Sequence, residues 1–331
     1  MKAPLKILAY SLRKDEAAFF EKFGKKHGMD LTVTEESPTA GSAGLAEGFP
    51  CVSIITTPVG EPVLRALYEG GVRFISTRTI GYDHIDLAAA RALGMRFGNV
   101  SYSPDAVANY TVMLMLMCIR KVKEIERLAC SQDFSLRGVR GFEMKNLTVG
   151  IAGTGRIGQR VIENLSGFGC RILAYDVVEN EAARLFARYV SWEEMCRDCD
   201  IISLHIPAAG GSASLVGREA LAAMKDGVFI INTSRGSLID TPAFLEAVES
   251  GKIGGAALDV IEDEASLYYK DLRGEPLSNR SLAVLRSYPN VIVTPHTAFY
   301  TDQAVSDMVE NSLLSCAAFI AGTDNPWEVK L

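Results

Sequence analysis

The feature that most constrains the fold of this chain is the stretch LTVGIAGTGRIGQRVIENL at residues 147–165. A run of apolar residues leads directly into a glycine-rich turn, and the turn leads directly into an amphipathic pattern with the period of a helix. A buried strand followed at once by a helix is the first half of a βαβ unit, which requires a parallel sheet covered by helices. The sequence therefore predicts an α/β protein.

The three glycines of GTGRIG occupy positions with different physical demands. In this context Gly153 permits a tight turn, Gly155 lets a pyrophosphate approach the backbone, and Gly158 allows the helix to pack closely on the strand. The start of the helix adds unpaired N–H groups and partial positive charge. The spacing predicts a dinucleotide site, with a purely structural glycine turn as the alternative.

The next apolar run ends at Asp176. An acid in this place accepts hydrogen bonds from the adenosine ribose hydroxyls and repels a 2′-phosphate, so the sequence predicts NAD rather than NADP. The alternative is an ordinary acidic residue in a turn after a strand.

Strand and helix patterns alternate along the whole chain, which predicts two doubly wound parallel-sheet domains. One is a Rossmann-type cofactor domain at 104–296. The other is a smaller flavodoxin-like substrate domain, which is discontinuous and comprises 1–103 and 297–331. Ser103, Pro104 and Asp105 form a helix-start signal, which predicts one long helix to about residue 128. Gly210 and Gly211 predict a turn.

Charge and composition exclude several classes of protein. The net charge is −6 and the pI is about 5.4, so we expect no binding to nucleic acid or anionic lipid. The most apolar run, 107–119, is too short and too polar to cross a membrane. The first residues lack a signal-peptide pattern, so we expect a cytoplasmic protein.

The cysteine content favours reduced thiols over a disulfide framework. The chain has 7 cysteines spread along its length, and an odd number of scattered cysteines is not a disulfide pattern. Cys196 and Cys199 have the spacing of a metal half-site, but no second pair follows them. We therefore expect no metal.

Three charged or titratable residues follow predicted strands of the second sheet. They are Arg235 after FIINTS, Glu264 after ALDVIED and His296 after VIVTP. Ligands of open parallel sheets bind at the carboxyl ends of the strands. Each residue alone has a structural explanation, but their common placement predicts a catalytic site. His205 also ends a strand, and for it a structural role and a role in the cofactor pocket are equally expected.

Long ordered motifs give the chain a family resemblance. NLTVGIAGTGRIGQRV, DIISLHIPA, MKDGVFIINTSRG, SGKIGGAALDVIEDE and PNVIVTPHTAFYT resemble the D-isomer-specific 2-hydroxyacid dehydrogenase family over essentially the whole chain. RTIGYDHID, YSP and HTAFYT resemble its D-lactate dehydrogenase branch. The resemblance implies an NAD-dependent oxidoreductase that acts on the CH–OH group of a D-2-hydroxy acid.

The resemblance also implies roles for individual residues. Arg235 would hold the substrate carboxylate and carbonyl, His296 would exchange a proton with the carbonyl oxygen, and Glu264 would favour the protonated form of His296. The remaining expected contacts divide between cofactor and substrate. The cofactor contacts are Gly153, Gly155, Arg156, Ile157, Gly158, Asp176, Pro207, Thr233 and Asp259, and the substrate contacts are Ile80, Gly81, Tyr102, Arg235 and Tyr300.

The substrate is predicted less sharply than the reaction. No Arg or Lys stands next to Thr56 and Thr57, which disfavours substrates with a second carboxylate, so pyruvate and D-lactate are the leading expectation. A resemblance of GFGCRILAYDVVENEAAR to relatives that reduce arylpyruvates keeps an aryl-2-oxoacid reductase as the alternative. A non-enzymatic NAD-sensing protein is a further alternative. The Met-rich helix after Pro104 predicts a homodimer.

Overall fold

The computed structural model describes residues 5–207 and 214–330, and the chain divides into two compact units. The terminal unit comprises Met1–Ser103 and Tyr300–Leu331, and the central unit comprises Pro104–Phe299. The second boundary therefore follows Phe299, whereas the sequence prediction placed it before Thr297. The predicted turn at Gly210 and Gly211 lies outside the described residues.

The first part of the terminal unit alternates strands and helices, with a short 3-10 turn at Ala43–Ala46. Its elements are β1 (Leu5–Ala9), α1 (Ala17–His27), β2 (Met29–Val33), β3 (Cys51–Ile54), α2 (Glu61–Glu69), β4 (Phe74–Thr77), α3 (Leu87–Ala92) and β5 (Arg96–Gly98). Successive residues of a strand face opposite sides of a sheet. Ile7 and Leu8 are accordingly both buried, in separate hydrophobic clusters, so helices cover both faces.

The central unit repeats the alternation on a larger scale, with 3-10 turns at Met144–Asn146, Gly236–Leu238 and Glu264–Ser266. Its helices are α4 (Asp105–Ile119), α5 (Val122–Cys130), α6 (Arg156–Ser166), α7 (Glu181–Arg184), α8 (Trp192–Asp198), α9 (Arg218–Ala223), α10 (Thr241–Glu249) and α11 (Arg280–Ser287). Its strands are β6 (Thr148–Ala152), β7 (Arg171–Tyr175), β8 (Arg188–Tyr189), β9 (Ile201–Leu204), β10 (Val228–Asn232), β11 (Ile253–Leu258) and β12 (Val291–Val293).

The chain then completes the terminal unit with α12 (Asp302–Ala321) and β13 (Glu328–Val329). Thr301 caps α12 by accepting a hydrogen bond from the N–H of Ala304. By length and composition α12 could cross a membrane, but Val309, Leu313 and Cys316 are buried against β1, β3 and β4. It is a core helix of this unit.

The two sheets have the strand orders of doubly wound folds. The terminal unit has the order β2-β1-β3-β4-β5-β13, in which β13 alone is antiparallel to its neighbour, and the central unit has the order β8-β7-β6-β9-β10-β11-β12, which is parallel throughout. The chain reverses its direction of travel across the central sheet between β6 and β9. Such a switch point is where open α/β sheets bind ligands.

The predicted single helix from 104 to 128 is wrong, because it breaks between α4 and α5. Lys121 adopts a left-handed conformation with φ 54°. The segment between α5 and β6 crosses the end of α4 there, because the N–H of Phe142 donates to the carbonyl of Ile119 at 2.9 Å. A Cβ on Gly141 would lie 2.5 Å from the same carbonyl oxygen, so the crossing requires glycine.

The start of α4 also differs from the prediction. The residue before the helix is Pro104, so Ser103 lies one position further from the helix than a capping residue. The N–H of Ser103 instead donates to the carboxylate of Asp307 on α12, at 3.1 Å. Ser103 therefore contributes to the terminal unit.

Candidate active site

The glycine turn after β6 has the geometry that the three glycines predict. Gly153 has φ 97°, and a Cβ there would lie 2.6 Å from the carbonyl of His205. A Cβ on Gly158 would overlap the carbonyl of Gly153, whereas a Cβ on Gly155 would meet nothing within 4 Å. Gly153 and Gly158 therefore allow the strand and the helix to pack closely. The second leaves open space at the start of α6, which fits a pyrophosphate.

Asp176 follows β7 and is held against this turn. One of its carboxylate oxygens accepts hydrogen bonds from the N–H of Thr154 at 2.6 Å and from its hydroxyl at 3.2 Å, and the other accepts from the N–H of Val178 at 3.3 Å. Burial by itself would raise the pKa of Asp176, but these hydrogen bonds outweigh it and lower the pKa. A fixed negative charge therefore stands at the end of β7.

The other expected cofactor contacts lie around the same edge of the central sheet. Arg156 and Ile157 form the first turn of α6, and Pro207 is exposed after β9. The hydroxyl of Thr233 lies 2.9 Å from that of Thr111, which donates to the carbonyl of Val107 on α4. Because Thr111 uses its own proton on Val107, Thr233 is the donor of the pair, and its oxygen lone pairs remain to accept.

His205 has a structural role that the sequence left open. Its backbone carbonyl closes on Gly153, and its Nε2 lies 2.9 Å from the hydroxyl of Ser203. Burial lowers the pKa of His205 to about 4. The imidazole is therefore neutral at pH 7 and carries no charge toward a bound cofactor.

Glu264 and His296 are in close contact after β11 and β12. The Nδ1 of His296 lies 2.6 Å from one carboxylate oxygen of Glu264, and the other oxygen accepts from the N–H of Ile261 at 3.0 Å. Both side chains are partly shielded, with exposed fractions of 28% for His296 and 23% for Glu264. Since Glu264 engages Nδ1, Nε2 remains to exchange a proton with another molecule.

Asp259 holds the loop that carries His296. Its buried carboxylate accepts from the hydroxyl of Thr294 at 2.5 Å, from the N–H of Thr297 at 3.0 Å and from the N–H of Ala298 at 2.9 Å. The N–H of His296 donates to the Asp259 carbonyl at 2.8 Å. The sequence placed Asp259 at the nicotinamide end of the cofactor, and the hydrogen bonds of its carboxylate are with this loop.

Arg235 follows β10, so the three predicted catalytic residues stand at the ends of three adjacent strands. The buried side chain of Asn232 fixes this turn by donating to the carbonyl of Arg235 at 2.8 Å and accepting from the N–H of Ser234 at 3.0 Å. A Cβ on Gly236 would overlap the backbone of Ile261, so the turns that carry Arg235 and Glu264 touch.

In the terminal unit, the loop after β4 has the form of an anion site. The carbonyl of Thr79 accepts from the N–H of Val100 at 3.1 Å, and that of Ile80 accepts from the Asn99 side chain at 2.8 Å. The carbonyl of Gly81 accepts from the Thr79 hydroxyl at 2.6 Å. The N–H groups of Ile80 and Gly81 make no hydrogen bond within residues 5–207 and 214–330. Two adjacent N–H groups of this kind suit a carboxylate.

The two expected tyrosines of the substrate site also belong to the terminal unit. Tyr102 is half-buried before α4, and Tyr300 is 51% exposed with the Arg13 guanidinium 5.7 Å from its ring centre. Burial, together with Asp15, raises the pKa of Tyr300. At the end of β3, the hydroxyl of Thr57 lies 3.2 Å from that of Ser11.

Sequence reasoning missed three side chains at these places: Asn99, Asn232 and Tyr269. Asn99 and Asn232 hold the turns of Ile80 and Arg235, and the Tyr269 hydroxyl donates to the carbonyl of His296 at 3.0 Å. Each of the three side chains donates a hydrogen bond to the backbone carbonyl of another residue. Their own sequence neighbourhoods carry no signal for such contacts.

The Cys196 and Cys199 thiols lie in the core of the central unit. Burial raises the pKa of both to about 12, and both are free cysteines. Protonated, buried thiols are poor metal ligands and poor nucleophiles.

Comparison with known proteins gives matches over nearly the whole chain. Residues 112–298 match the family model of the D-isomer specific 2-hydroxyacid dehydrogenase NAD binding domain. A D-specific alpha-keto acid dehydrogenase of Enterococcus faecalis is 42% identical over 96% of this chain and 98% of that protein. An aromatic 2-oxoacid reductase of Clostridium sporogenes is 42% identical over 95% of this chain and 96% of that protein. The crystal structure of a D-lactate dehydrogenase from Treponema pallidum has a TM-score of 0.90 and 35% identity, over 98% of this chain and 100% of that one.

Proposed function

The chain belongs to the D-isomer specific 2-hydroxyacid dehydrogenase family, whose members are NAD-dependent oxidoreductases, and we propose that it reduces pyruvate to D-lactate with NADH. The observation that carries the reaction type is the contact between Glu264 and His296 at the ligand-binding edge of the central sheet. A proton donor beside a carboxylate, at the same sheet edge as a dinucleotide turn, suits the reduction of a carbonyl group.

In this proposal each residue has one task. NADH, when bound, supplies the hydride. His296 delivers a proton from Nε2 to the carbonyl oxygen of the substrate, and Glu264 stabilises the charged imidazole through Nδ1. Arg235 binds the carboxylate and carbonyl oxygens through its planar fork, which fixes one face of the carbonyl carbon.

The N–H groups of Ile80 and Gly81 bind the substrate carboxylate in the same proposal. Their peptide carbonyls are already occupied within the terminal unit, which keeps the N–H groups oriented without substrate. Tyr102 and Tyr300 are proposed as apolar contacts of the substrate side chain. The open space at Gly155 and the carboxylate of Asp176 support binding of the pyrophosphate and the adenosine ribose.

A second candidate substrate is an aryl-2-oxo acid such as phenylpyruvate. The observation in its favour is a group of rings at His296: the ring of Phe299 lies 6.2 Å from the imidazole and that of Tyr269 lies 6.4 Å from Phe299. Rings of this kind favour an apolar side chain through edge and face contacts. One of the 42% identical relatives is named as an aromatic 2-oxoacid reductase.

The test is the oxidation of NADH with a graded set of 2-oxo acids: pyruvate, 2-oxobutyrate, 4-methyl-2-oxopentanoate and phenylpyruvate. The proposal predicts the highest kcat/KM for pyruvate and a D-configured product. A maximum at phenylpyruvate supports the aryl candidate instead. No NADH oxidation with any of the four, in a protein that binds NADH, supports an NAD-sensing protein and overturns the enzymatic proposal.

We also propose a homodimer. On the Met-rich helix α4, Met115 is buried, but Met113 is 40% exposed and Met117 is half-buried. Phe134 and Leu136, after α5, are 80% and 87% exposed, which is unusual for neighbouring large apolar side chains. Sedimentation should give a dimer that Leu136→Glu weakens, and a monomeric wild type would overturn the proposal.

A further inference from the structure

Backbone strain is concentrated around the Glu264–His296 pair. Within residues 5–207 and 214–330, six non-glycine residues have a positive φ, and three of them are Asp263 at 58°, Tyr269 at 64° and His296 at 53°. Such residues are strained because Cβ crowds the neighbouring carbonyl group. Asp263 directly precedes Glu264, Tyr269 bonds to the carbonyl of His296, and His296 is itself a member of the pair. Strain of this kind persists only where surrounding contacts offset it.

For His296, those contacts hold the backbone on both sides. Its N–H donates to the carbonyl of Asp259 at 2.8 Å and also lies 3.0 Å from that of Thr294. Its own carbonyl accepts from the hydroxyl of Tyr269 at 3.0 Å. The Asp259 and Thr294 carbonyls directly follow β11 and β12, and the Tyr269 hydroxyl comes from the segment that follows Glu264.

The rings reinforce this arrangement. The Tyr269 ring lies 6.2 Å from the imidazole at an angle of 40°, and Phe299 meets both rings edge-on, at 6.2 Å from His296 and 6.4 Å from Tyr269. Tyr269 is nevertheless 50% exposed. Burial alone therefore does not explain why a bulky residue occupies a left-handed conformation here, whereas the bond to His296 and the ring contacts do.

Glu264 and Tyr269 belong to one segment, and they hold His296 at two different points. Glu264 binds the ring at Nδ1 and Tyr269 binds the main chain at the carbonyl. A ring held by a single hydrogen bond can rotate about its side-chain bonds, and a loop held only from one side can shift. Holding both points leaves the imidazole one orientation, as general acids require.

We infer that Tyr269 is a positioning residue that holds His296 in register with Glu264, an inference that rests on the proposed function for its effect on turnover. The hydroxyl of Tyr269 supplies the bond and its ring supplies the packing. Loss of the hydroxyl frees the carbonyl of His296 and lets the strained backbone relax. The distance between Nδ1 and the Glu264 carboxylate then lengthens, and proton delivery becomes less effective.

The test compares Tyr269→Phe with Tyr288→Phe. The control also loses one tyrosine hydroxyl in the central unit, which in the wild type donates to Glu249 at 2.5 Å. Tyr269→Phe should lower kcat for the 2-oxo acid about tenfold, with KM changed less than twofold and NADH affinity unchanged, because a misplacement of the acid acts on the transition state. Equal kcat values for the two variants would overturn the inference.

A spectroscopic measurement gives a readout independent of turnover. The proton between His296 Nδ1 and Glu264 should give a low-field proton NMR signal, assigned by its loss in Glu264→Gln. Tyr269→Phe should move this signal upfield or broaden it, whereas Tyr288→Phe should leave it in place. An unmoved signal in Tyr269→Phe contradicts the inference. If the wild type oxidises no NADH with any 2-oxo acid, the proposed function fails while this signal still tests the position of His296.

Discussion

Glu264 binds His296 with one carboxylate oxygen and its own loop with the other, through the N–H of Ile261. The carboxylate is therefore fixed before any substrate binds, and its charge favours the protonated imidazole. Glu264→Gln keeps the shape of the side chain but removes this charge. We expect pyruvate reduction to fade at a lower pH than in the wild type. The measurement is kcat/KM between pH 5 and 9.

The control for this substitution is Glu262→Gln. Glu262 is an exposed acid in the same loop, and its carboxylate accepts from the hydroxyl of Thr241 at 2.7 Å. Its variant should keep the wild-type pH profile. A Glu264→Gln profile that coincides with that of Glu262→Gln would show that the pair does not govern proton delivery.

Arg235→Lys tests whether a planar fork is needed. A lysine keeps the positive charge but cannot donate two parallel hydrogen bonds to a carboxylate and a carbonyl oxygen. We expect kcat/KM for pyruvate to fall by about 100-fold, mainly through KM, with NADH affinity unchanged. Arg273→Lys, at a side chain that is 91% exposed, is the matched control. Wild-type kinetic constants in Arg235→Lys would remove Arg235 from substrate binding.

Asp176→Ser should relax the preference for NADH. The ionised carboxylate repels a 2′-phosphate, so its removal should raise kcat/KM with NADPH relative to NADH by about tenfold or more. Asp176 also accepts two hydrogen bonds from Thr154, and losing them should cost about 1 kcal/mol of unfolding free energy. Asp176→Asn keeps an acceptor for these bonds, so it should change the cofactor preference with a smaller loss of unfolding free energy. An unchanged cofactor ratio in both variants would exclude Asp176 from cofactor choice.

Gly155→Ala should affect cofactor binding without affecting the fold. The added methyl group meets nothing within 4 Å in the protein, and the same holds for Gly44→Ala in the terminal unit. Both variants should unfold at about the wild-type denaturant concentration, but only Gly155→Ala should weaken NADH binding, by about tenfold. Titration of NADH fluorescence measures the difference. Equal NADH affinity in the two variants would place the pyrophosphate elsewhere.

His205 should make the protein sensitive to acid. Burial lowers its pKa from 6.5 to about 4 in the folded state. Between these values the unfolded chain binds a proton that the folded protein does not, so the free energy of unfolding falls as the pH drops from 6.5 to 4. The total loss is about 3 kcal/mol. His205→Gln should reduce this loss, as measured by urea unfolding at pH 7 and pH 5. An identical pH dependence in both proteins would contradict the assignment to His205.

The regular elements were predictable because their signals are local. Apolar runs such as FIINTS and VIVTP are strands wherever a parallel sheet buries both faces, and the carboxyl ends of such strands lie at one edge. The order of these runs along the chain therefore predicted that Arg235, Glu264 and His296 would share an edge. The turn at Gly153 was predictable for the same reason.

Features that depend on contacts between distant segments were not predictable. The helix break at Lys121 is caused by the crossing of Gly141, and no glycine or proline marks the break itself. The strands β8 and β13 have two residues each, too few for an alternating pattern. Most hydrogen bonds that Asp259 and Tyr269 make with the His296 loop are to backbone groups, and the sequence does not show which backbone group a side chain will reach.

The packing of α12 against β1 and β4 has a consequence for how the protein folds during synthesis. Residues of β1 and β4, such as Ile7 and Phe74, are covered by Val309 and Leu313 of α12, which the ribosome synthesises long afterwards. The contiguous central unit is complete first, so it can fold while the earlier part of the chain still exposes an apolar face. Nascent chains that stall before α12 are therefore expected to be the aggregation-prone and chaperone-dependent species of this protein.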